Sequence, residues 1–224
     1  MSKKLLLSNA LGQMADTVFA LPAGEIGMLA GWTGAICYTL QIYFDFSGYS
    51  DMAIGLGRMF GFHFRENFNY PYTATTIKEF WRRWHISLSG WFRDYLYIPL
   101  GGNRKGNART WLNRFLVFFA TGLWHGASWT FVLWGLWHGL FSVLEDCGAI
   151  PVDKLKGRRI GQLYTLLVVV LGFTLFRAVH AGTGRCHVCR DVLRHWSALA
   201  GHGGCLGKIS PAFALTLCLA LLLC

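Results

Sequence analysis

Residues 118–139, FFATGLWHGASWTFVLWGLWHG, form an apolar, tryptophan-rich run. At about 20 residues a helix crosses a bilayer, so this run is long enough to do so. Yet it carries two titratable side chains, His125 and His138, each inside a Trp-His-Gly tripeptide. A histidine in hydrocarbon is costly, so such a run must turn both imidazoles onto protein or into a site. The rest of the chain points the same way. It is 54% hydrophobic and 14% charged, against about 25% charged residues in soluble domains. The expected fold class is an all-α, polytopic membrane protein, with several transmembrane helices and further interfacial or re-entrant ones. The formal net charge of +10 raises nucleic-acid binding. The basic residues, however, lie between apolar segments, where the positive-inside rule accounts for them. No nucleic-acid partner is expected; membrane lipid is.

Along the chain, residues 1–22 open with two lysines, but Ser8, Asn9, Gln13 and Asp16 interrupt the apolar pattern. This reads as an interfacial or buried amphipathic helix rather than a secretory signal. Residues 26–46 are a spanning run, uncharged up to Asp45. Residues 47–63 are shorter and glycine-rich, which predicts a separate re-entrant or close-packed helix. Residues 64–110 hold concentrated positive charge. Within them Trp81, Trp84, Leu88, Trp91, Phe92 and Tyr95 fall on one helical face, and Arg82, Arg83 and Arg93 on the other. That pattern predicts one helix lying in the cytoplasmic membrane interface, with tryptophans toward lipid and arginines toward phosphates. Residues 111–145 are apolar again, and Gly122, Gly126 and Ser128 predict a break near His125 with a second helix from about Trp129. Residues 160–179 are a strong spanning candidate. Residues 180–210 are polar and rich in Gly, His and Cys, and 211–224 are apolar but short for a span.

The two histidines are not equivalent. Thirteen positions apart, they lie on opposed sides of a continuous helix at ~100° per residue. They face one ligand only if the segment bends. His125 is followed by Gly126, Ala127 and Ser128, which leave room for a substrate, whereas His138 sits in bulkier packing. An imidazole has an ordinary pKa near ~6.5, and the neutral form accepts a proton at cytoplasmic pH. A hydroxyl attacking a thioester needs such a base. The plain alternative is a histidine that bonds a neighbouring carbonyl and links helices.

Other constellations say less. Asp45 and Asp51, six apart, do not share a helical face and read as hydrogen-bonding or ion-pairing groups. No Gly-x-Ser-x-Gly elbow occurs, which argues against a serine hydrolase. Cys186 and Cys189 have zinc-ligand spacing, but the second half, with Cys205, His195 and His202, matches no standard pattern. A metal-binding membrane protein remains a competing class, and a non-catalytic scaffold or transport subunit is another; no metal ligand set is assigned.

Three motifs in order carry a resemblance: YFDFSGYSDMAIGLGRMFGF, NFNYPYTATTIKEFWRRWHISLSGWFRDYLYIPLGGNR and GLWHGASWTFVLWGLWHG. Together they resemble the membrane-bound O-acyltransferase family (MBOAT), and within it the branch that acetylates alginate. The resemblance covers residues 1–178, leaving 179–224 as a divergent tail. It implies a multi-helix fold around a tunnel in the bacterial inner membrane. It also implies an acyl group, acetyl or another small one, taken from a cytoplasmic thioester such as acetyl-CoA or an acyl carrier. The acceptor implied is an exported polysaccharide, with a periplasmic acetyltransferase as partner and no bound cofactor. The family's histidine before Ala-Ser-Trp carries over to His125, and the one in Arg-Trp-His-Ile-Ser-Leu-Ser to His85; both are expected to be catalytic. Trp84, Trp124, Ser128 and His138 are expected along the tunnel, and Trp81, Arg82 and Arg83 at the interface. Family members are about twice this length, with helices before the first motif, so the chain is expected to be a fragment.

Overall fold

The computed structural model describes residues 1–22 and 26–177, and among these it is helical with no β-strand. A π-helical turn, Lys3–Ser8, leads into α1 (Asn9–Phe19), followed by α2 (Met28–Met59). Next come α3 (Ile77–Arg83), α4 (Ile86–Phe92), α5 (Asn107–His125), α6 (Trp129–Asp146), a short α7 (Val152–Leu155) and α8 (Arg159–Arg177). Among the described residues α8 alone is long and apolar enough to cross a membrane, where a span was expected. Two compact units divide the described residues: residues 1–62 with 173–177, and residues 63–172. The cysteine- and histidine-bearing tail, including Cys186, Cys189 and Cys205, lies outside the described residues.

In the first unit α1 lies antiparallel on α2. Lys3 and Lys4 meet Gly48, Gly12 meets Gln41, and Val18 meets Gly34, where a Cβ would come within 2.8 Å of a valine methyl. Leu11, Ala15 and Val18 are the buried stripe of α1, the amphipathic pattern read from the sequence. The two aspartates serve this packing. Lys4 Nζ is 2.5 Å from Asp45, Ser8 Oγ donates to Asp45 at 3.3 Å, and Lys3 Nζ is 2.7 Å from Asp51. Both lysine–aspartate pairs are substantially exposed and so stabilise by only about 0–1 kcal/mol each. One expectation is corrected here. Residues 47–63 do not form a separate helix, because α2 continues without a break to Met59. Glycine weakens a helix by about 1 kcal/mol but does not end it. Gly48 is used for close approach to the N-terminal turn, and no proline interrupts the run.

The second unit is built on the α5–α6 hairpin. The break falls where Gly126 and Ser128 predicted it, with α5 ending at His125 and α6 starting at Trp129. Gly126 has φ 153°, a backbone setting that glycine adopts at no steric cost. Beyond the turn the helices touch backbone to backbone. A Cβ on Gly122 would stand 2.5 Å from the Phe131 carbonyl oxygen, and one on Gly135 would run into that of Phe118.

Helix α3 is capped twice. Thr76 Oγ1 accepts from the Glu79 amide at 3.1 Å, and the Glu79 carboxylate accepts from Thr75 N at 2.9 Å. This resembles a capping box displaced by one residue. The second cap comes from α6: Glu145, 4% exposed, accepts from the amides of Ile77 at 2.6 Å and Lys78 at 3.1 Å. Next to it, Asp146 pairs with Lys78 at 2.5 Å and Arg114 at 2.7 Å.

The single two-faced helix expected over 81–95 is also corrected. It breaks at Trp84–His85 into α3 and α4, and a π-helical turn follows over Arg93–Tyr97. Its tryptophans therefore part company. Trp84 is buried against Phe68, Tyr72 and Phe80, while Trp91 and Tyr95 are exposed. Trp81, expected toward lipid, packs edge-on against Phe118, Trp134 and His138.

Candidate active site

His125 closes α5, and its Nδ1 lies 2.7 Å from the carbonyl oxygen of Thr121, one turn back. A carbonyl only accepts, so Nδ1 carries the hydrogen and donates it. The lone pair is thereby left on Nε2, which is the basic nitrogen of this tautomer.

His85 occupies the break between α3 and α4 with φ 46° and ψ 55°, in the left-handed region. For a residue with a Cβ this costs about 1–2 kcal/mol. Two backbone hydrogen bonds straddle it and hold it there: Asn69 N to Arg83 O at 2.9 Å, and Ile86 N to Asn67 O at 3.0 Å. The ring Nδ1 stands 3.2 Å from Asn67 Oδ1 and 3.4 Å from Ser87 Oγ. Burial, and then the neighbouring imidazole of His125, push the pKa of His85 down from its ordinary value to about 4. The ring is therefore neutral at cytoplasmic pH.

The direction fixes the pH dependence. Between pH 6.5 and about 4 the unfolded chain binds a proton at this position before the folded one does. Stability is thus unaffected by His85 above pH 6.5 and falls as the pH drops through that window. A ¹⁵N-histidine titration in detergent is expected to show the His85 ring still neutral at pH 5. A midpoint near 6.5 would contradict the burial.

The two histidines meet the same indole. The ring centroid of Trp124 is 6.4 Å from that of His85 and 4.9 Å from that of His125. On its other side His125 packs against Trp134 at 4.9 Å, and Trp134 packs against His138 at 5.4 Å. The hairpin thus brings both Trp-His-Gly histidines onto Trp134, which the helical phase of an unbroken run would forbid. Their settings still differ: His125 is half-buried, and His138 is fully enclosed beside Trp81 and Gly172.

Of the residues expected along a tunnel, Trp84 and His138 are enclosed in aromatic packing, while Trp124 is exposed. Ser128 Oγ is hydrogen-bonded to Thr130 Oγ1 at 3.0 Å. Arg82 is exposed. Arg83 is bonded to Glu79 at 2.7 Å and Thr73 at 3.0 Å.

Comparison with known proteins bears on this arrangement. The model of MBOAT, the membrane-bound O-acyltransferase family, matches residues 21–147. The chain belongs to that family. It is 51% identical to a probable alginate O-acetylase of Pseudomonas putida, over 79% of this chain and 36% of the relative. It is 48% identical to a peptidoglycan O-acetyltransferase of Helicobacter pylori, over 79% of this chain and 34% of the relative. A teichoic acid D-alanyltransferase of Bacillus subtilis is 32% identical, over 61% of this chain and 36% of the relative. The chain spans about a third of the length of these curated relatives.

The MBOAT match encloses His85, His125, Trp124 and Trp134 together. It also encloses residues that the sequence did not single out. Asn67 accepts at His85, and Glu145 ties α6 to the start of α3. For Glu145 a signal existed, since Glu145 and Asp146 are two carboxylates that end an apolar helix. For Asn67, in a loop eighteen positions before His85, there was none.

Proposed function

We propose that the protein is a membrane O-acyltransferase, multi-pass in the bacterial inner membrane. It moves an acetyl group from a cytoplasmic thioester to hydroxyls of an extracytoplasmic polysaccharide such as alginate, with a periplasmic acetyltransferase as partner. The observation that carries the reading is the set of tautomers at the site: the Thr121 carbonyl leaves Nε2 of His125 as its basic nitrogen. In this reading Nε2 takes the proton of the attacking hydroxyl. The hydroxyl oxygen bonds to the thioester carbonyl carbon, the C–S bond breaks, and the proton passes to the departing thiolate. His85 meets the same Trp124 indole as His125, and its neutral ring is suited to orient the reacting groups by hydrogen bonding, leaving the proton to His125. Acetyl is favoured over D-alanyl because identity is 51% and 48% to the two O-acetylating relatives and 32% to the D-alanyltransferase.

The test is an assay on membranes from cells making the protein, supplied with a labelled acetyl thioester and the polymer. Thiol release matched by label in the polymer is expected. Release no greater than from membranes lacking the protein would leave a scaffold role in its place. Label accepted only from a D-alanyl thioester would move the acyl assignment.

A further inference from the structure

We propose that Asn67 is a positioning residue for His85: its side-chain oxygen fixes which ring nitrogen carries the hydrogen and, together with its main-chain carbonyl, holds the residue in its left-handed backbone. The proposal deepens the reading above and rests on it for the catalytic consequence. The tautomer claim stands on geometry alone.

Four contacts carry it. The backbone N–H of Ser87 points at the Asn67 side chain at 3.1 Å. An amide N–H only donates, so the Asn67 atom it meets is the oxygen, which settles the orientation of the carboxamide. The same oxygen lies 3.2 Å from His85 Nδ1 and accepts from Ser87 Oγ at 3.0 Å. An amide oxygen cannot donate, and the Ser87 hydroxyl gives its hydrogen to Asn67 at 3.0 Å rather than to the ring at 3.4 Å; this arrangement puts the hydrogen on Nδ1 of His85 and the lone pair on Nε2. The fourth contact is on the main chain, where the Asn67 carbonyl accepts from Ile86 N at 3.0 Å. One asparagine therefore holds both the ring and the strained backbone that presents it. Left-handed non-glycine residues persist where their surroundings over-determine them; here the Asn67 carbonyl and side chain together tie down Ile86 N and Ser87 N, and the side chain selects the tautomer. The result matches His125, whose Nδ1 is also tied to an acceptor. Both rings thus offer Nε2.

From α5, His125 is the titratable group that acts on His85. On its own stretch, Arg83 is bound to Glu79 and Thr73.

Two variants separate positioning from mere folding. Asn67→Asp keeps an acceptor at the same place and adds negative charge beside the ring. It is expected to raise the His85 titration midpoint by about one to three pH units, with Nδ1 still protonated. Asn67→Ala removes the acceptor. It is expected to release the ring into the other tautomer and to lower kcat by ~10-fold or more, with KM changed little, as when an imidazole loses its orienting partner. The readouts are ¹⁵N-histidine spectra of the protein in detergent, with His85→Asn to assign the signal, and acyl transfer by native membranes. If both variants keep the wild-type tautomer and midpoint and lose only thermal stability, Asn67 is a loop-forming residue and the proposal fails. His125→Ala run in parallel keeps the two readings apart. Full transfer by that variant overturns the proposed function, while the spectra still decide the claim about Asn67.

Discussion

Replacing His125 with alanine is expected to lower acyl transfer by about 10²–10⁴-fold, the usual contribution of a positioned general base. The loss is expected in kcat more than in KM, because the imidazole acts on a proton in flight rather than on bound substrate. The site offers few means of compensation. His138 meets the same indole but is fully enclosed, and its ring is hemmed in by Trp81 and Gly172. His85 stands across Trp124 from the missing ring. Initial rates of thiol release, normalised to protein in the membrane, provide the measurement. A rate within threefold of wild type would remove His125 from the chemistry.

The second large effect is structural and lies at the far end of α6. Glu145→Ala leaves the buried amide of Ile77 and the part-buried amide of Lys78 without their acceptor. An orphaned buried donor costs about 1–3 kcal/mol and a part-buried one less, so the variant is expected to be destabilised by about 1–4 kcal/mol. The start of α3 loosens first, and with it the stretch that leads to His85. Glu145→Gln, which keeps one carboxamide oxygen, is expected to fall between the two. Apparent Tm in detergent orders the three proteins, and proteolysis near Thr75 tests where opening begins. Equal Tm for wild type and Glu145→Ala would show that the cap stabilises nothing.

What the sequence made legible was local. The amphipathic stripe of α1 needs only its own period, and the hairpin break needs only Gly126 and Ser128. The aspartates at 45 and 51 announced ion pairing through the cost of burying charge. The break at His85 was not legible, because the tryptophan–arginine period runs through it undisturbed. It is imposed from outside, by Asn67 and Asn69, whose partners lie more than a dozen positions away. The continuation of α2 is hidden for the opposite reason: glycines in 47–63 weaken a helix on paper, whereas Gly48 is where the N-terminal turn approaches. The bond from Arg83 to Thr73, ten positions away, is likewise not legible in the sequence.

The anchor of His125 has a consequence for how this site responds to genetic dissection. Its orienting acceptor is the main-chain carbonyl of Thr121, which every amino acid supplies. An alanine scan can delete the orienting partner of His85 but not that of His125, and will score Thr121 by its side chain alone. Drift at position 121 leaves the tautomer intact, whereas drift at 67 does not. Only a change in the covalent backbone, such as an ester in place of the amide after Thr121, reaches the atom that sets the base.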